Sequence, residues 1–360
     1  MKNYYALILA GGGGTRLWPM SRQSRPKQML PLIGQTSMFT TSVERLAPLF
    51  QPEQIFISTG QSYIEDLQAE APNIPGENFI LEPSARNNAA AVGLAIAVIH
   101  KRDPNAVVAM LTADHHISKL DVFRDLLAAS HAIAEQGKIV TLGISPTFPA
   151  TGFGYIQQGE KQGISLGFDY CQALRFTEKP DLVRATQFVG SGKYSWNSGM
   201  FIWQASKAMR EFERQQPGMY QLLQKLQAAV DTADFQTTLE NIWEEMPRIS
   251  IDYAIMENAA DMVVIPVDIG WSDVGTWSSL YDILDQDRFG NCGKNGAERR
   301  IVLDAHHSLL FSDKLTVAIG VDNIIVVETD DVLMICHKDR AQDVKEIVEY
   351  LRQNNMEDYL

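Results

Sequence analysis

The chain has 360 residues, 45% hydrophobic and 21% charged, with a formal net charge of −13. This is globular material, long enough for two domains, and its acidic balance excludes broad nucleic-acid or membrane-surface binding. Cys171, Cys292 and Cys336 show no CxxC spacing, which fits a reducing compartment and gives no zinc site.

No apolar run nears the roughly 18 residues that a bilayer span requires. The stretch Tyr5–Ala10 is too short for the apolar core of a signal peptide, so a cytoplasmic protein is expected. The charge is unevenly spread. The first 43 residues hold Lys2, Arg16, Arg22, Arg25 and Lys27 and no acid, so the remainder carries −18. That contrast implies a local pocket for anions in a chain that otherwise repels them.

In chain order, Tyr5–Ala10 is a continuous apolar run and reads as a buried parallel strand. The glycine-rich turn GGGGTR follows it. Helical periodicity covers Ser37–Leu46, Asn88–Lys101 and Asp121–Glu135. Between these lie further short apolar runs, Gln54–Thr59, Ala106–Leu111 and Ile139–Leu142. Strands alternating with helices indicate an α/β fold with a mostly parallel sheet.

Gly152–Trp203 reads as β-like and loop-rich, and Gln204–Glu245 as helical. Strand Met262–Ile269 precedes GWSDVGTW. The charged, turn-rich NCGKNGAERR, residues 291–300, reads as a linker. Short β-like pieces follow, fitting a small sandwich or the end of a β-solenoid. Helix Arg340–Arg352 closes the chain. The expected division is a catalytic domain over 1–288 and a small β-rich domain over 289–360.

Glycines directly after a buried strand let backbone N–H groups approach an anion. The P-loop pattern GxxxxGK[ST] is absent. The dinucleotide pattern GxGxxG fails because Arg16 stands where its third glycine would be. Trp18-Pro19 also stops any helix there. A plain tight turn is the competing reading.

The stretch LAGGGGTRLWPMSRQSRPKQMLPL resembles the signature of the sugar-nucleotide pyrophosphorylases, nucleotidyltransferases that join an NTP to a sugar 1-phosphate. RLWPMSR followed by PKQ is most similar to the mannose-1-phosphate guanylyltransferase (GDP-mannose pyrophosphorylase) family. EPSARNNAAAV, TADHHI, TGFGYI, FTEKP, WNSGMF, SIDYAIME and GWSDVGTW extend the resemblance to about residue 280. It implies a Rossmann-like, mostly parallel sheet domain with a small β-rich C-terminal domain. Some bacterial members carry a fused cupin-type isomerase domain; no such segment is recognised in residues 1–360, and one activity is expected.

The implied reaction joins GTP and mannose 1-phosphate into GDP-mannose and pyrophosphate. Two anions must meet, so neutralising and positioning them are the protein's tasks. The resemblance then assigns nucleotide binding to Gly11, Gly12, Gly13, Gly14, Thr15, Arg16, Lys27, Glu82, Arg86 and Asn87. Arg16, Lys27, Asp114 and Asp273 are the expected catalytic set. Asp114 and Asp273 each follow an apolar run, and they are the expected ligands of Mg²⁺. His115 and His116 are not expected to bind metal. Gly154, Tyr155, Glu178, Lys179 and Asn197 are the expected sugar-phosphate residues, while Trp196 and Trp203 read as core.

Arg22 and Arg25 stay open between phosphate contact and solvation. The alternatives are another NTP and sugar 1-phosphate, or a non-catalytic relative that binds GDP-mannose. The oligomeric state is open, with a homodimer among the options.

Overall fold

The computed structural model describes residues 1–294 and 299–360. The chain folds into two compact units. One, the sheet unit, comprises Met1–Ala10, Val43–Thr112 and Ile117–Trp271; the other, the solenoid unit, comprises Gly11–Ser42, Ala113–His116 and Ser272–Leu360. Packing therefore does not follow the linear division at 288/289. The glycine-rich signature groups with the C-terminal tail.

Strands appear in the order β1 (Tyr4–Leu9), β2 (Ile55–Gly60), β3 (Phe79–Glu82), β4 (Val107–Thr112), the two-residue β5 (His116–Ile117), β6 (Ile139–Ile144), β7 (Tyr155–Ser165), β8 (Phe168–Thr177), β9 (Tyr194–Gln204) and β10 (Met262–Val267). The sheet unit holds one nine-stranded sheet in the order β3-β2-β1-β4-β9-β6-β10-β8-β7. β3, β2, β1, β4, β6 and β10 share one direction, with β9 antiparallel between β4 and β6. The apolar runs expected as strands lie within one or two residues of these strands, and they are buried because helices cover the sheet.

Helix Asn88–Arg102 explains its own sequence. Every residue from Ala89 to Ile99 is buried, as for a helix that is apolar all round and has no solvent face. Helices Ala205–Gln215 and Pro217–Ala229 pack against it.

The solenoid unit contains two parallel ladders. Arg300 pairs with Thr316 in one and Leu309 with Ile325 in the other, an offset of 16 residues in each. A constant offset between parallel strands is the geometry of stacked coils, so the tail is a solenoid and not a sandwich. The expected linker is partly displaced. Cys292–Gly293 already pairs in parallel with Leu309–Leu310, and buried Asn291 donates Nδ2–H to the Ala305 carbonyl at 2.8 Å. The rest of that expectation, residues 295–298, lies outside the described residues.

Helix Val344–Gln353 follows a 3-10 turn, Lys338–Asp343. Leu17, Trp18, Leu30 and Leu32 from the signature share one core with Phe311, Val327 and Val348 from the tail. That shared core is why the two sequence-distant segments form a single unit. No helix among the described residues is long and apolar enough to cross a membrane.

Candidate active-site residues

In the solenoid unit the signature builds a cradle around one lysine. Gly14 caps the 3-10 turn Thr15–Leu17 with a left-handed φ of 55°. A Cβ on Gly14 would lie 2.5 Å from Lys27 Cβ. Glycine is required there both for conformation and for room. Ser21 Oγ–H closes the loop on the Gly13 carbonyl at 2.7 Å. Gly11, Gly12, Gly13 and Thr15 are exposed and Arg16 is half-buried, its Nη1 3.4 Å from Gln342 Oε1.

Lys27 is 6% exposed. Its ammonium donates to Asp114 Oδ2 at 2.8 Å and to the Asp273 carbonyl at 2.5 Å. A buried ammonium is tolerable only when so paired. Burial pushes the Asp114 carboxyl up, but the Lys27 and His115 charges and the Lys27 hydrogen bond outweigh it and hold it below its ordinary range. Asp273 Oδ1 accepts from the Gly275 N–H at 3.1 Å, an Asx-type turn. Val274, next to it, has φ of 45°, a costly conformation for a β-branched residue.

β4 and β10 run in the same direction, so the segments carrying Asp114 and Asp273 leave the sheet at the same edge, as expected. Among the described residues no group of three or more His, Cys, Asp or Glu side chains is placed to hold a metal. Arg22 is accounted for. Its guanidinium grips Asp331 through two bonds of 2.8 and 2.7 Å, and Nε–H donates to the Pro19 carbonyl at 3.1 Å. Arg25 is exposed.

In the sheet unit, WNSG, TEKP, GFGY and SIDY meet. Asn197 lies in β9 and Glu178 just after β8. Asn197 Nδ2–H donates to Asp252 Oδ1 at 3.0 Å, Asn197 Oδ1 accepts from the Gly199 N–H at 3.0 Å, and its own N–H donates to the Gly154 carbonyl at 2.8 Å. Glu178 is only 11% exposed in its side chain and pairs with exposed Lys179 at 3.0 Å. A Cβ on Gly154 would come within 2.5 Å of Glu178 Oε2 and 3.2 Å of Asn197 Cβ. Burial, and then the Glu178 charge, push the Asp252 carboxyl up to about 6. Lys179 has φ of 45° beside Glu178.

Tyr155, expected to meet a sugar through its backbone, sends its side chain inward. It is fully buried, its hydroxyl donates to the Ala150 carbonyl at 2.9 Å, and its ring lies against Phe188. The side chain is core, because the outward face of β7 begins only past Ile156. Gly154 is buried too, and its part is to let Glu178 and Asn197 approach. Trp196 and Trp203 are buried, as expected.

The EPSARNN loop divides by role. Asn87 caps helix Asn88–Arg102, accepting from the Asn88 N–H at 2.8 Å. Buried Arg86 pairs with Glu244. Asn88 Oδ1 accepts from the Ile251 N–H at 2.8 Å, tying this loop to the Asp252 turn. Glu82, at the end of β3, is pushed up to about 7 by burial, against the Ser58 hydroxyl bond that lowers it.

The model of the nucleotidyl transferase family matches residues 5–288. The chain belongs to that family. A second model, of the MannoseP isomerase/GMP-like β-helix domain, matches residues 298–351. A mannose-1-phosphate guanylyltransferase of Klebsiella pneumoniae is 40% identical over 98% of this chain and 75% of its own length. The xanthan biosynthesis protein XanB of Xanthomonas campestris is 39% identical over 98% of this chain and 74% of that protein. A solved structure from Thermus thermophilus, described as a mannose-1-phosphate geranyltransferase, superposes with a TM-score of 0.86 at 34% identity, covering 97% of this chain and 99% of that one.

Sequence reading of this nucleotidyl transferase chain missed two residues. Asp252 stands inside the quoted SIDYAIME, and its signal was an acid in the first helical turn after the Ser250 cap. Asp331, the Arg22 partner, carried no local signal, because it lies 309 positions away.

Proposed function

We propose that this nucleotidyl transferase moves GMP from GTP to mannose 1-phosphate, releasing pyrophosphate. A sugar-phosphate oxygen forms a bond to the α-phosphorus of GTP, and the bond from that phosphorus to the bridging oxygen of pyrophosphate breaks. The observation that carries the reading is buried Lys27, with its ammonium on Asp114 and on the Asp273 backbone beside the exposed glycine loop. A cation fixed there receives the triphosphate and stabilises charge on the departing pyrophosphate. Arg16 adds a second positive charge. Lys179 neutralises the sugar phosphate, and Glu178 and Asn197 read sugar hydroxyls. Glu82 belongs to the nucleotide's base and ribose.

The choice of guanine and mannose draws support from the guanylyltransferase named above. The Lys27 ammonium ties the Asp114 carboxylate to the Asp273 backbone carbonyl, and the Asp114 and Asp273 side chains supply hard oxygens of the kind that suits Mg²⁺ completed by phosphate and water. Bound there, Mg²⁺ would cancel charge between the two phosphates. Lys27, Arg16, Asp114 and Asp273 are all present, which favours an active enzyme over a non-catalytic relative.

The test is pyrophosphate release with Mg²⁺ and mannose 1-phosphate, using GTP, ATP, UTP and dTTP in turn. Turnover confined to GTP is expected. Turnover with another NTP in preference, or none with mannose 1-phosphate, overturns the reading.

A further inference from the structure

Asn197 is held from both ends. Its Nδ2–H donates to Asp252 Oδ1 at 3.0 Å, and its Oδ1 accepts from the Gly199 N–H at 3.0 Å. An amide can present its N–H and C=O faces either way round, and a 180° flip exchanges donor for acceptor. A carboxylate can only accept, and a backbone N–H can only donate. Asp252 and Gly199 together therefore permit one orientation of the Asn197 amide. Each end of the amide retains one further bond, an N–H and a carbonyl lone pair, of fixed polarity.

The surroundings confirm a built arrangement. Asp252 enters from helix Ile251–Ala254, whose Ser250 cap accepts from the Tyr253 N–H. The Ile251 N–H is itself tied to Asn88 Oδ1 at 2.8 Å, so the turn carrying Asp252 is anchored. The Asn197 backbone is fixed by its 2.8 Å bond to the Gly154 carbonyl. Asp252, Asn197 and Glu178 are all partly accessible, so the free valences are open to a ligand. Burial first, and then the neighbouring Glu178 charge, raise the Asp252 carboxyl. A polyol that donates its hydroxyls to the carboxylate oxygens offsets that rise.

We infer that Asp252 is the positioning residue of the sugar site: by locking the Asn197 amide in one orientation it sets which hydroxyl pattern of a sugar 1-phosphate is accepted. The inference rests on the sugar-phosphate reading of Glu178, Lys179 and Asn197. Discrimination of this kind arises when a site's fixed donors and acceptors are left unpaired by the wrong epimer. Asp252 acts through Asn197, so its effect must vanish when Asn197 is removed.

The experiment measures KM and kcat for mannose 1-phosphate, glucose 1-phosphate and GTP, together with thermal midpoints and direct calorimetric binding of mannose 1-phosphate. It compares wild type with Asp252→Ala, Asp252→Asn, Asn197→Ala and the Asp252→Ala/Asn197→Ala double variant. Asp252→Ala is expected to raise the mannose 1-phosphate KM by roughly tenfold or more and to narrow the sugar preference, as loss of a bond to a charged group does. KM for GTP stays within about twofold, because this pair reads only the sugar. Asp252→Asn keeps an acceptor for Asn197, so it recovers most of the loss and shifts the sugar KM by about threefold. The double variant is no worse than Asn197→Ala.

An unchanged sugar KM and preference in Asp252→Ala, additive losses in the double variant, or equal losses for both substrates with a lowered thermal midpoint overturns the inference. Should Asp252→Ala fail to fold, Asp252→Ser, too short to hold the Asn197 amide, takes its place, and a wild-type sugar KM and preference in it is the negative result. A wild type that binds mannose 1-phosphate without turnover overturns the proposed function only, and the binding titrations then test Asp252. A wild type that binds no sugar phosphate overturns both.

Discussion

Asp114 in the solenoid unit and Asp252 in the sheet unit are both half-buried carboxylates, yet they are pushed in opposite directions. Burial raises both. Lys27, 2.8 Å away, overturns that for Asp114, whereas Glu178 reinforces it for Asp252. The solenoid unit thus carries its acid already paired with a cation, which is what the proposed binding of a triphosphate and a metal requires. In the sheet unit Asp252 has the Glu178 charge beside it, and the Asn197 amide it accepts from is neutral. Charge compensation, more than burial, separates the two chemistries.

The largest expected effect comes from removing the solenoid tail. Cleavage of the chain after Asn291 keeps every proposed site residue. It also strips Phe311, Val327 and Val348 from the core that holds Leu17 and Trp18. We expect undetectable turnover and loss of cooperative melting of the solenoid unit, read by calorimetry beside pyrophosphate release. Wild-type turnover in the truncated chain would show that the signature holds its shape without the tail.

Lys27→Ala comes next. Loss of one preorganised charge typically lowers turnover by about 10²–10³. The same change strips Asp114 of its cation, so its carboxyl should rise on NMR titration. If the proposed single divalent ion joins them, Asp114→Asn and Asp273→Asn should each lose most activity, with a double variant little worse than either. Full activity in excess chelator would remove the metal from the scheme. If Lys27→Ala left kcat and the Asp114 titration unchanged, the contrast between the two units would collapse.

Much of this was legible in the sequence, for physical reasons. Buried parallel strands are written as unbroken apolar runs, and the turn around Lys27 as glycines followed by basic residues with no acid. Asp114 and Asp273 could be placed because each follows such a run. The inward packing of the Tyr155 side chain could not be placed: facing depends on strand phase, and at the start of β7 both Tyr155 and Ile156 are buried, so there is no alternation to read. The grouping of the signature with the tail was also invisible, since it depends on packing between segments some 300 positions apart. The coil offset of 16 was obscured because successive β pieces alternate between two ladders.

Stability against pH sharpens the comparison at smaller amplitude. Asp252 is raised from 3.8 to about 6 and Glu82 from 4.5 to about 7. The folded state therefore holds protons that the unfolded state has released within those windows. Stability falls as pH rises from about 4 to about 7 on account of both groups. Asp114 has the opposite sign: its lowered carboxyl adds stability above its ordinary value, and that is lost as pH falls through the folded value. Asp252→Asn should thus gain roughly 1–2 kcal/mol at pH 8, discounted for partial exposure, and gain little at pH 4. The variant would be more stable while binding sugar less well. Denaturant melts at the two pH values decide, and an equal change at both would detach Asp252 from the raised-carboxyl account.

The smallest effect belongs to Arg22, the other basic residue of the signature with a carboxylate partner. Its two bonds to Asp331 resemble the Lys27–Asp114 pair in length, but Asp331 is 43% exposed in its side chain and Lys27 is deeply buried. An ion pair open to water gains little, because solvent stabilises the separated charges nearly as well and salt screens them. The bidentate geometry puts Arg22–Asp331 near the upper end of the surface range, about 1 kcal/mol. Arg22→Ala should therefore lower stability by about that amount plus a contribution from its lost bond to the Pro19 carbonyl, an effect reduced in high salt. KM for GTP should stay within about twofold, since the donors of Arg22 already serve the loop. A double-mutant cycle with Asp331→Ala isolates the pair, and kinetics on the same proteins read its catalytic weight. A rise in GTP KM of roughly tenfold or more, with little change in the melt, would move Arg22 from the scaffold to the phosphates and give the solenoid unit a third cation for its anionic ligand.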